Sequence, residues 1–337
     1  MQKTVTFTSP DIIPKLYGAY DANIGIIEER LSVEIENRSD SAGDALLIDG
    51  GADNVALCEK ALKYLADIAK RDELISDSQV NYVLDTLIDG NESDLIPPGD
   101  DCILLTARGK PIKTKTIGQK RYVEAIKKNT VILGVGPAGT GKTFLAVAMA
   151  VKALRDKQVN RIILTRPAVE AGERLGFLPG DLQSKIDPYL RPLYDALFEM
   201  LGAENYQRYV EKNTIEVAPL AYMRGRTLDD SFIILDEAQN ATPEQMKMFL
   251  TRLGFGSKAV VTGDLTQTDL PFGKKSGLAA AVKILDGIED IAIHRFTEKD
   301  VVRHRLVQKI ILAYEKYEKE QAKSNADKPQ FVRYKKQ

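Results

Sequence analysis

Eight consecutive residues, Gly136-Pro137-Ala138-Gly139-Thr140-Gly141-Lys142-Thr143, carry the most specific chemical signal in the chain. Glycines in this pattern let backbone N–H groups converge on a phosphate. Lys142 can neutralise the β and γ phosphates of a nucleotide, and the Thr143 hydroxyl can coordinate Mg²⁺. The context is the one such a loop requires. The apolar run Val131 to Val135 leads into it, and Phe144-Leu145-Ala146-Val147-Ala148-Met149-Ala150 continues as a helix, whose N-terminus adds partial positive charge to the phosphate site.

Two further clusters are independent of the first. Ser231-Phe232-Ile233-Ile234-Leu235-Asp236-Glu237 is a buried-strand pattern that ends in two carboxylates, which a core strand avoids unless it opens into a polar site. Asp236 fits the metal-side carboxylate of a phosphate-loop ATPase, and Glu237, pointing the other way, fits a base for the attacking water. The plain alternative is a strand-to-turn exit. In Val260-Val261-Thr262-Gly263-Asp264-Leu265-Thr266-Gln267, Thr262, Asp264 and Gln267 could sense a γ-phosphate and hold the nucleophile; an ordinary Gly-Asp turn is the alternative. Upstream of the loop, the amide of Gln119 could read an adenine edge.

The elements that must position these groups follow from length, pattern and charge. A chain of 337 residues suggests about two domains, each able to bury a core. Its 47 Lys+Arg and 48 Asp+Glu leave a net charge of −1, which by itself argues against a strongly basic nucleic-acid binder. The balance is local, however. Residues 1–102 hold 8 basic and 21 acidic side chains, net −13, and the remainder holds 39 and 27, net +12.

Residues 1–90 read as a small acidic α+β domain. Val5 and Phe7 share one face of an extended stretch. Ile24, Ile27 and Leu31 recur at helical spacing, Val33 to Glu36 and Leu46 to Ile48 read as strands, and Asp53 or Asn54 can cap a helix striped by Val55, Cys58, Leu62, Leu65 and Ala69. A further helix carries Val80, Val83, Leu84, Leu87 and Ile88. Residues 91–116 read as linker and basic ribbon. Between Ile103 and Lys128, eight basic residues (Arg108, Lys110, Lys113, Lys115, Lys120, Arg121, Lys127, Lys128) meet only Glu124. Residues 117–320 alternate strands and helices as a parallel α/β sheet does, with strands at Val131 to Val135, Ile162 to Leu164, Phe232 to Leu235, Val260 to Thr262 and Ile291 to Ile293. A last helix striped by Val302, Leu306, Ile310, Tyr314 and Tyr317 leads to a polar basic tail, 321–337. Two cysteines, Cys58 and Cys102, are too few for a disulfide framework and read as inert core thiols. His294 and His304 default to structural roles. No stretch of 18 apolar residues could span a bilayer, so a soluble intracellular protein with no membrane partner is expected.

Arg161-Ile162-Ile163-Leu164-Thr165-Arg166-Pro167-Ala168-Val169, Gly172 to Gly180, Asp236-Glu237-Ala238-Gln239-Asn240 and Asp300-Val301-Val302-Arg303-His304, in that order, resemble the PhoH-like ATPases over about residues 104 to 315. The resemblance implies an α/β P-loop NTPase core similar to one RecA-like domain of superfamily 1 helicases. It also implies an ATP-binding, Mg²⁺-using cytoplasmic protein, linked by name to phosphate starvation and by helicase-like motifs to RNA metabolism or a ribosome-associated partner.

Too little chain follows the last expected strand for a second motor domain, which would need roughly 100 residues. The nucleotide is therefore expected at a subunit interface of a homo-oligomer, a ring such as a hexamer, with an arginine finger supplied in trans. Candidates for the finger are Arg166, Arg174, Arg303 and Arg305, with Arg303 preferred. Hydrolysis is expected over transfer to an acceptor, because Glu237 and Gln267 suit a positioned water and no second substrate pocket is evident; a nucleotide-gated binding module with negligible hydrolysis is the alternative from another class. No Asn-Lys-x-Asp guanine signature is present. The acidic front domain loosely resembles a KH-type RNA module, but its nearest match to the gripping Gly-x-x-Gly loop is Gly18-Ala19-Tyr20-Asp21, where Asp21 repels phosphate. A protein-docking or oligomerisation role is expected there. RNA contact is expected on residues 103–128, on Lys274-Lys275, or on Arg333, Lys335 and Lys336.

Overall fold

The computed structural model describes residues 1–9, 11–40, 43–70, 75–90, 92, 95, 102–167, 182–271, 273–302, 306–307, 310 and 314. Its residues fall into two compact units, Met1–Leu84 with the described part of 302–337, and Asp85–Val301.

In the first unit, strands β1 (Gln2–Phe7), β2 (Val33–Asp40) and β3 (Gly43–Gly50) form an antiparallel sheet in the order β1-β3-β2. Between β1 and β2 lie helices α1 (Ile12–Tyr17) and α2 (Ala22–Leu31); α3 (Ala52–Ala69) follows the sheet. Val5 pairs with Leu46 and Ile35 with Ile48, and all four are buried. Glu34 and Glu36, at the alternate positions of β2, are exposed. This is the period-2 division of a sheet with one wet face. The stripe expected on α3 is the buried one, and burial pushes the Cys58 thiol up to about 12. The N-cap is Gly51, without a side-chain bond, rather than Asp53 or Asn54. Helix α1 was not expected: it is only six residues long, too short to display a helical period.

Helix α4 (Asp77–Ile88) buries Val80, Val83, Leu84 and Leu87 of the expected stripe but leaves Ile88 exposed, and the two units part within it. The second unit then opens with a hairpin, β4 (Cys102–Leu105) and β5 (Pro111–Lys113). Part of the segment expected as a linker and basic ribbon is therefore folded. Ile103, Leu104 and Ile112 are buried in the main core, a signal that the surrounding lysines and arginines obscured. Cys102 is half-buried and Cys58 buried, and both are free.

A six-stranded parallel sheet forms the body of this unit. Its strands are β6 (Val131–Val135), β7 (Arg161–Arg166), β8 (Ile215–Pro219), β9 (Ser231–Leu235), β10 (Lys258–Gly263) and β11 (Ile291–Arg295), in the order β11-β6-β10-β9-β7-β8. The α/β P-loop NTPase fold class read from the sequence is the observed one. Strand β8 was missed because it lies at the edge, where alternation is weak and Glu216 is occupied by Arg226 and Arg161 at 2.6 and 3.1 Å.

Helices α5 (Ile117–Lys128), α6 (Lys142–Arg155) and α7 (Leu182–Leu201) contribute to the core on one face of the sheet; α8 (Ala203–Glu211) follows α7. On the other face pack α9 (Pro243–Leu250) and α10 (Gly277–Ile284). Near Asp300 the chain makes a single 3₁₀ turn, Glu298–Asp300, rather than beginning the expected long helix. Leu306, Ile310 and Tyr314 are helical and exposed; Tyr317, His304 and the tail lie outside the described residues.

On the α5 side of β6, Tyr122 is fully buried and lies edge-on to Phe296, with ring centroids 5.1 Å apart. A Cβ on Gly134 would stand 2.7 Å from the Tyr122 ring. Gly134→Ala should therefore force ring and strand apart and lower stability by about 1–3 kcal/mol, measured by urea denaturation. An unchanged midpoint would show that the ring has room to move.

Candidate nucleotide site

Strand order determines what can meet. The carboxyl ends of β6, β10, β9 and β7 lie side by side, so the phosphate loop after β6 faces the residues that close the other three. Opposite Gly134 and Val135 on β6, β10 places Thr262 and Gly263. The Gly136 N–H donates to the Gly263 carbonyl at 3.1 Å. Gly136 must be glycine, since a Cβ would fall 2.7 Å from the Phe296 Cβ and its φ is +152°. Gly141, at φ +80°, starts α6 in the left-handed region that glycine tolerates. The buried Lys142 Nζ donates to the Gly136 and Pro137 carbonyls, both at 2.7 Å, and the Thr140 hydroxyl donates to Pro137 at 3.0 Å.

The buried Asp236 lies at the centre. Its Oδ1 accepts from the Thr143 hydroxyl at 2.6 Å and the Thr262 hydroxyl at 2.8 Å, and its Oδ2 lies 3.1 Å from the Arg166 guanidinium. Glu237, next in sequence, is turned by a left-handed backbone (φ +52°) so that it faces different partners. Arg166 Nη2 donates to it at 3.0 Å, and Gln239 Nε2 at 2.5 Å. Gln239 also accepts from the Asp264 N–H at 3.0 Å, tying the second carboxylate to the β10 turn. A cavity of about 250 Å³ is lined by Ala138, Gly139, Lys142, Thr143, Asp236, Glu237, Asp264 and Gln267, among others. The loop and both carboxylates thus share one space. Thr143 Oγ1 and Asp236 Oδ1, hard oxygen donors 2.6 Å apart, suit Mg²⁺ in chemistry and placement.

Sequence reasoning and structure differ in detail at three residues. Asp264, expected as a γ-phosphate sensor, spends Oδ1 on the Thr266 N–H and hydroxyl at 2.9 and 2.7 Å and so shapes its own turn. Gln119 donates to the Thr140 carbonyl at 3.1 Å and accepts from the Lys115 N–H at 2.7 Å. Its amide therefore braces the phosphate loop. Arg166, considered as a finger in trans, lies against both carboxylates of its own chain. Arg303, Arg174, Arg305 and the segment 172–180 lie outside the described residues.

Gln239 was missed as a functional residue, although it stands two positions after Glu237. Also missed was a brace built from Thr116-Ile117-Gly118-Gln119, whose Thr-x-x-Gln spacing is a helix-start signature. Thr116 caps α5 by accepting from the Gln119 N–H, and its hydroxyl donates to buried Asp300 at 2.7 Å. Asp300 also accepts from the Thr297 N–H at 3.0 Å. His294 packs 4.5 Å from Phe296, centroid to centroid, and burial lowers its pKa against the opposing pull of Asp300.

A family model described as "PhoH-like protein" matches residues 111–315. The chain belongs to the PhoH family. It is 56% identical over 312 residues to a PhoH-like protein of Mycobacterium tuberculosis (strain ATCC 25618 / H37Rv), covering 92% of this chain and 86% of the relative. With a PhoH-like protein of Bacillus subtilis (strain 168) it shares 50% over 309 residues, 91% and 95% of the two chains. Protein PhoH of Escherichia coli (strain K12) matches at 48% over 206 residues, 60% of this chain and 58% of that one. Among solved structures, the Pif1 helicase from Candida albicans aligns at 15% identity with a TM-score of 0.28, covering 53% of this chain and 39% of that chain. Membership in the PhoH family rests on the sequence matches.

In this PhoH family member the brace makes a direct prediction. Asp300→Ala removes the acceptor for Thr116 and Thr297 at a buried position and should cost about 1–3 kcal/mol in denaturant unfolding. A loss below about 0.5 kcal/mol, the size of an ordinary surface substitution, would mean that the brace carries no load.

Proposed function

We propose that this PhoH family member is a Mg²⁺-dependent ATPase, acting in the cytoplasm as a homo-oligomer, that hydrolyses ATP to ADP and phosphate and couples turnover to RNA or ribosome-associated work. The observation that carries the reading is the division of labour between adjacent carboxylates. Asp236 is buried against Thr143 and Thr262, whereas the Glu237 side chain is 42% exposed at the cavity. One suits holding a metal, the other handling a proton.

Lys142 would balance phosphate charge, and Thr143 with Asp236 would hold Mg²⁺, which supplies charge neutralisation at the β and γ oxygens. Glu237 takes a proton from water as its oxygen bonds to the γ-phosphorus and the bond to the β–γ bridging oxygen breaks, releasing ADP. Gln239 holds Glu237 for this step, and Gln267 faces the same space. Coupling to RNA is supported by Arg108, Lys110, Lys115, Arg121, Lys127 and Lys128, all exposed, with Glu124 among them. Among the described residues no helix is long and apolar enough to cross a membrane.

A second reading has its own support. Arg166 is paired with Glu237 at 3.0 Å, which occupies the carboxylate that would otherwise receive the proton from water, as suits a nucleotide-gated binding module. Lys142→Ala should abolish nucleotide binding under either reading. Glu237→Gln should keep ATP binding and reduce steady-state hydrolysis by at least about 100-fold; unchanged hydrolysis sinks the assignment of the base. If RNA is the client, single-stranded RNA should stimulate hydrolysis, and the stimulation should fall steeply with salt. A rate indifferent to RNA shifts the client to protein.

For a finger in trans, mixing Arg303→Ala subunits with Lys142→Ala subunits should restore part of the ATPase activity. No recovery argues against Arg303 in that role.

A further inference from the structure

Arg166 closes β7, and the sheet delivers it to the carboxylates. Strand β7 pairs with β9 so that Thr165 lies opposite Leu235, and the Asp236 N–H donates to the Thr165 carbonyl at 2.9 Å. Arg166 and Asp236, the next residue of each chain segment, are therefore neighbours. A single guanidinium nitrogen, Nη2, lies 3.1 Å from Asp236 Oδ2 and 3.0 Å from Glu237 Oε1. The side chains of Arg166 and Asp236 are 17% and 5% exposed, so water and salt screen this pair far less than a surface pair.

Both oxygens of Asp236 are engaged. Oδ1 accepts from the Thr143 and Thr262 hydroxyls at 2.6 and 2.8 Å, and Oδ2 faces the guanidinium. A divalent cation drawn to Asp236 meets a positive charge already placed there, and two like charges so close in a poorly screened site repel. The other carboxylates at the cavity offer little relief. Glu237 is held by the same nitrogen, and Asp264 spends Oδ1 on the Thr266 N–H and hydroxyl. Phosphate alters the balance, because a guanidinium binds its oxygens with the same forked geometry it uses for a carboxylate. Phosphates also bring negative charge and oxygen ligands for the cation.

We propose that Arg166 is a positioning residue that competes with the divalent cation for Asp236, so that the protein alone excludes the cation and admits it with the phosphates of a nucleotide. The inference rests on the Mg²⁺ reading above and adds the residue that sets when the cation enters. It differs from simple charge compensation of a buried aspartate in one respect. Loss of a compensating arginine lowers stability and creates nothing, whereas loss of a competitor opens a cation site.

Mn²⁺, which suits the same oxygen ligands as Mg²⁺, serves as the probe, and the electron paramagnetic resonance signal of free Mn²⁺ reports binding to the full chain without nucleotide. Removing the positive charge in Arg166→Gln should tighten Mn²⁺ binding at least about tenfold over wild type. Arg166→Lys keeps the charge and should stay as weak as wild type. Adding Asp236→Asn to Arg166→Gln should abolish the gain, and circular dichroism checks that each variant is folded. No gain in folded Arg166→Gln, an equal gain in Arg166→Lys, or a gain that survives Asp236→Asn overturns the inference. Should Arg166→Gln not fold, wild type decides alone: Mn²⁺ binding that Asp236→Asn removes from wild type shows that Arg166 excludes nothing. With ADP, wild type should retain Mn²⁺ beyond a protein-free ADP control; if a fluorescent ADP analogue binds and retention does not rise, the inference is overturned. If the analogue does not bind, the nucleotide reading fails, and the comparison made without nucleotide still decides the competition.

Discussion

One buried carboxylate organises this molecule. Asp236 accepts hydrogen bonds from Thr143 at the start of α6 and Thr262 at the end of β10, and it is salt-bridged to Arg166 at the end of β7. A charge removed from water is tolerated only when partners compensate it, so three elements must arrive at one point. That requirement fixes the register of the sheet where it matters. Shifting β10 by one residue would turn Thr262 to the other face and leave Asp236 one partner short.

The phosphate loop gains its geometry from the same convergence. Gly136 bonds to Gly263, Lys142 donates to the loop carbonyls, and Gln119 donates to the Thr140 carbonyl. Gln119 is in turn anchored through Thr116 to Asp300, beyond the last strand. The phosphate loop, the turn after β10 and the segment beyond β11 are thus linked by hydrogen bonds across the sheet. Gln239 completes the linkage by joining Glu237 to the Asp264 turn, so a change in the turn after β10 is felt at the carboxylate nearest the cavity.

The two units solve different physical problems. The phosphate-loop unit gathers polar groups at the carboxyl ends of its strands and buries apolar side chains on both faces of the sheet. The smaller unit has one wet sheet face, on which Glu34 and Glu36 are exposed. Charge divides along the sequence and not between these units: residues 1–102 are net −13 and residues 103–337 net +12, and neither sign appears in the net charge of −1.

The sequence alone determined the phosphate loop, the carboxylate pair, five of the six parallel strands and the charge division, because each is local. A strand followed by Gly-x-x-x-x-Gly-Lys-Thr and a helix allows few other structures, and an apolar run ending in Asp236-Glu237 marks its own direction. Everything that depended on distant partners was decided by the tertiary structure. Arg166 read as a surface-capable finger until the adjacency of β7 and β9 placed it on Asp236 and Glu237. Gln119 read as an adenine reader until folding brought Thr140 to its amide. The edge strand β8, the short helix α1 and the β4–β5 hairpin are too short to show a period, and packing against neighbours far along the chain made them regular.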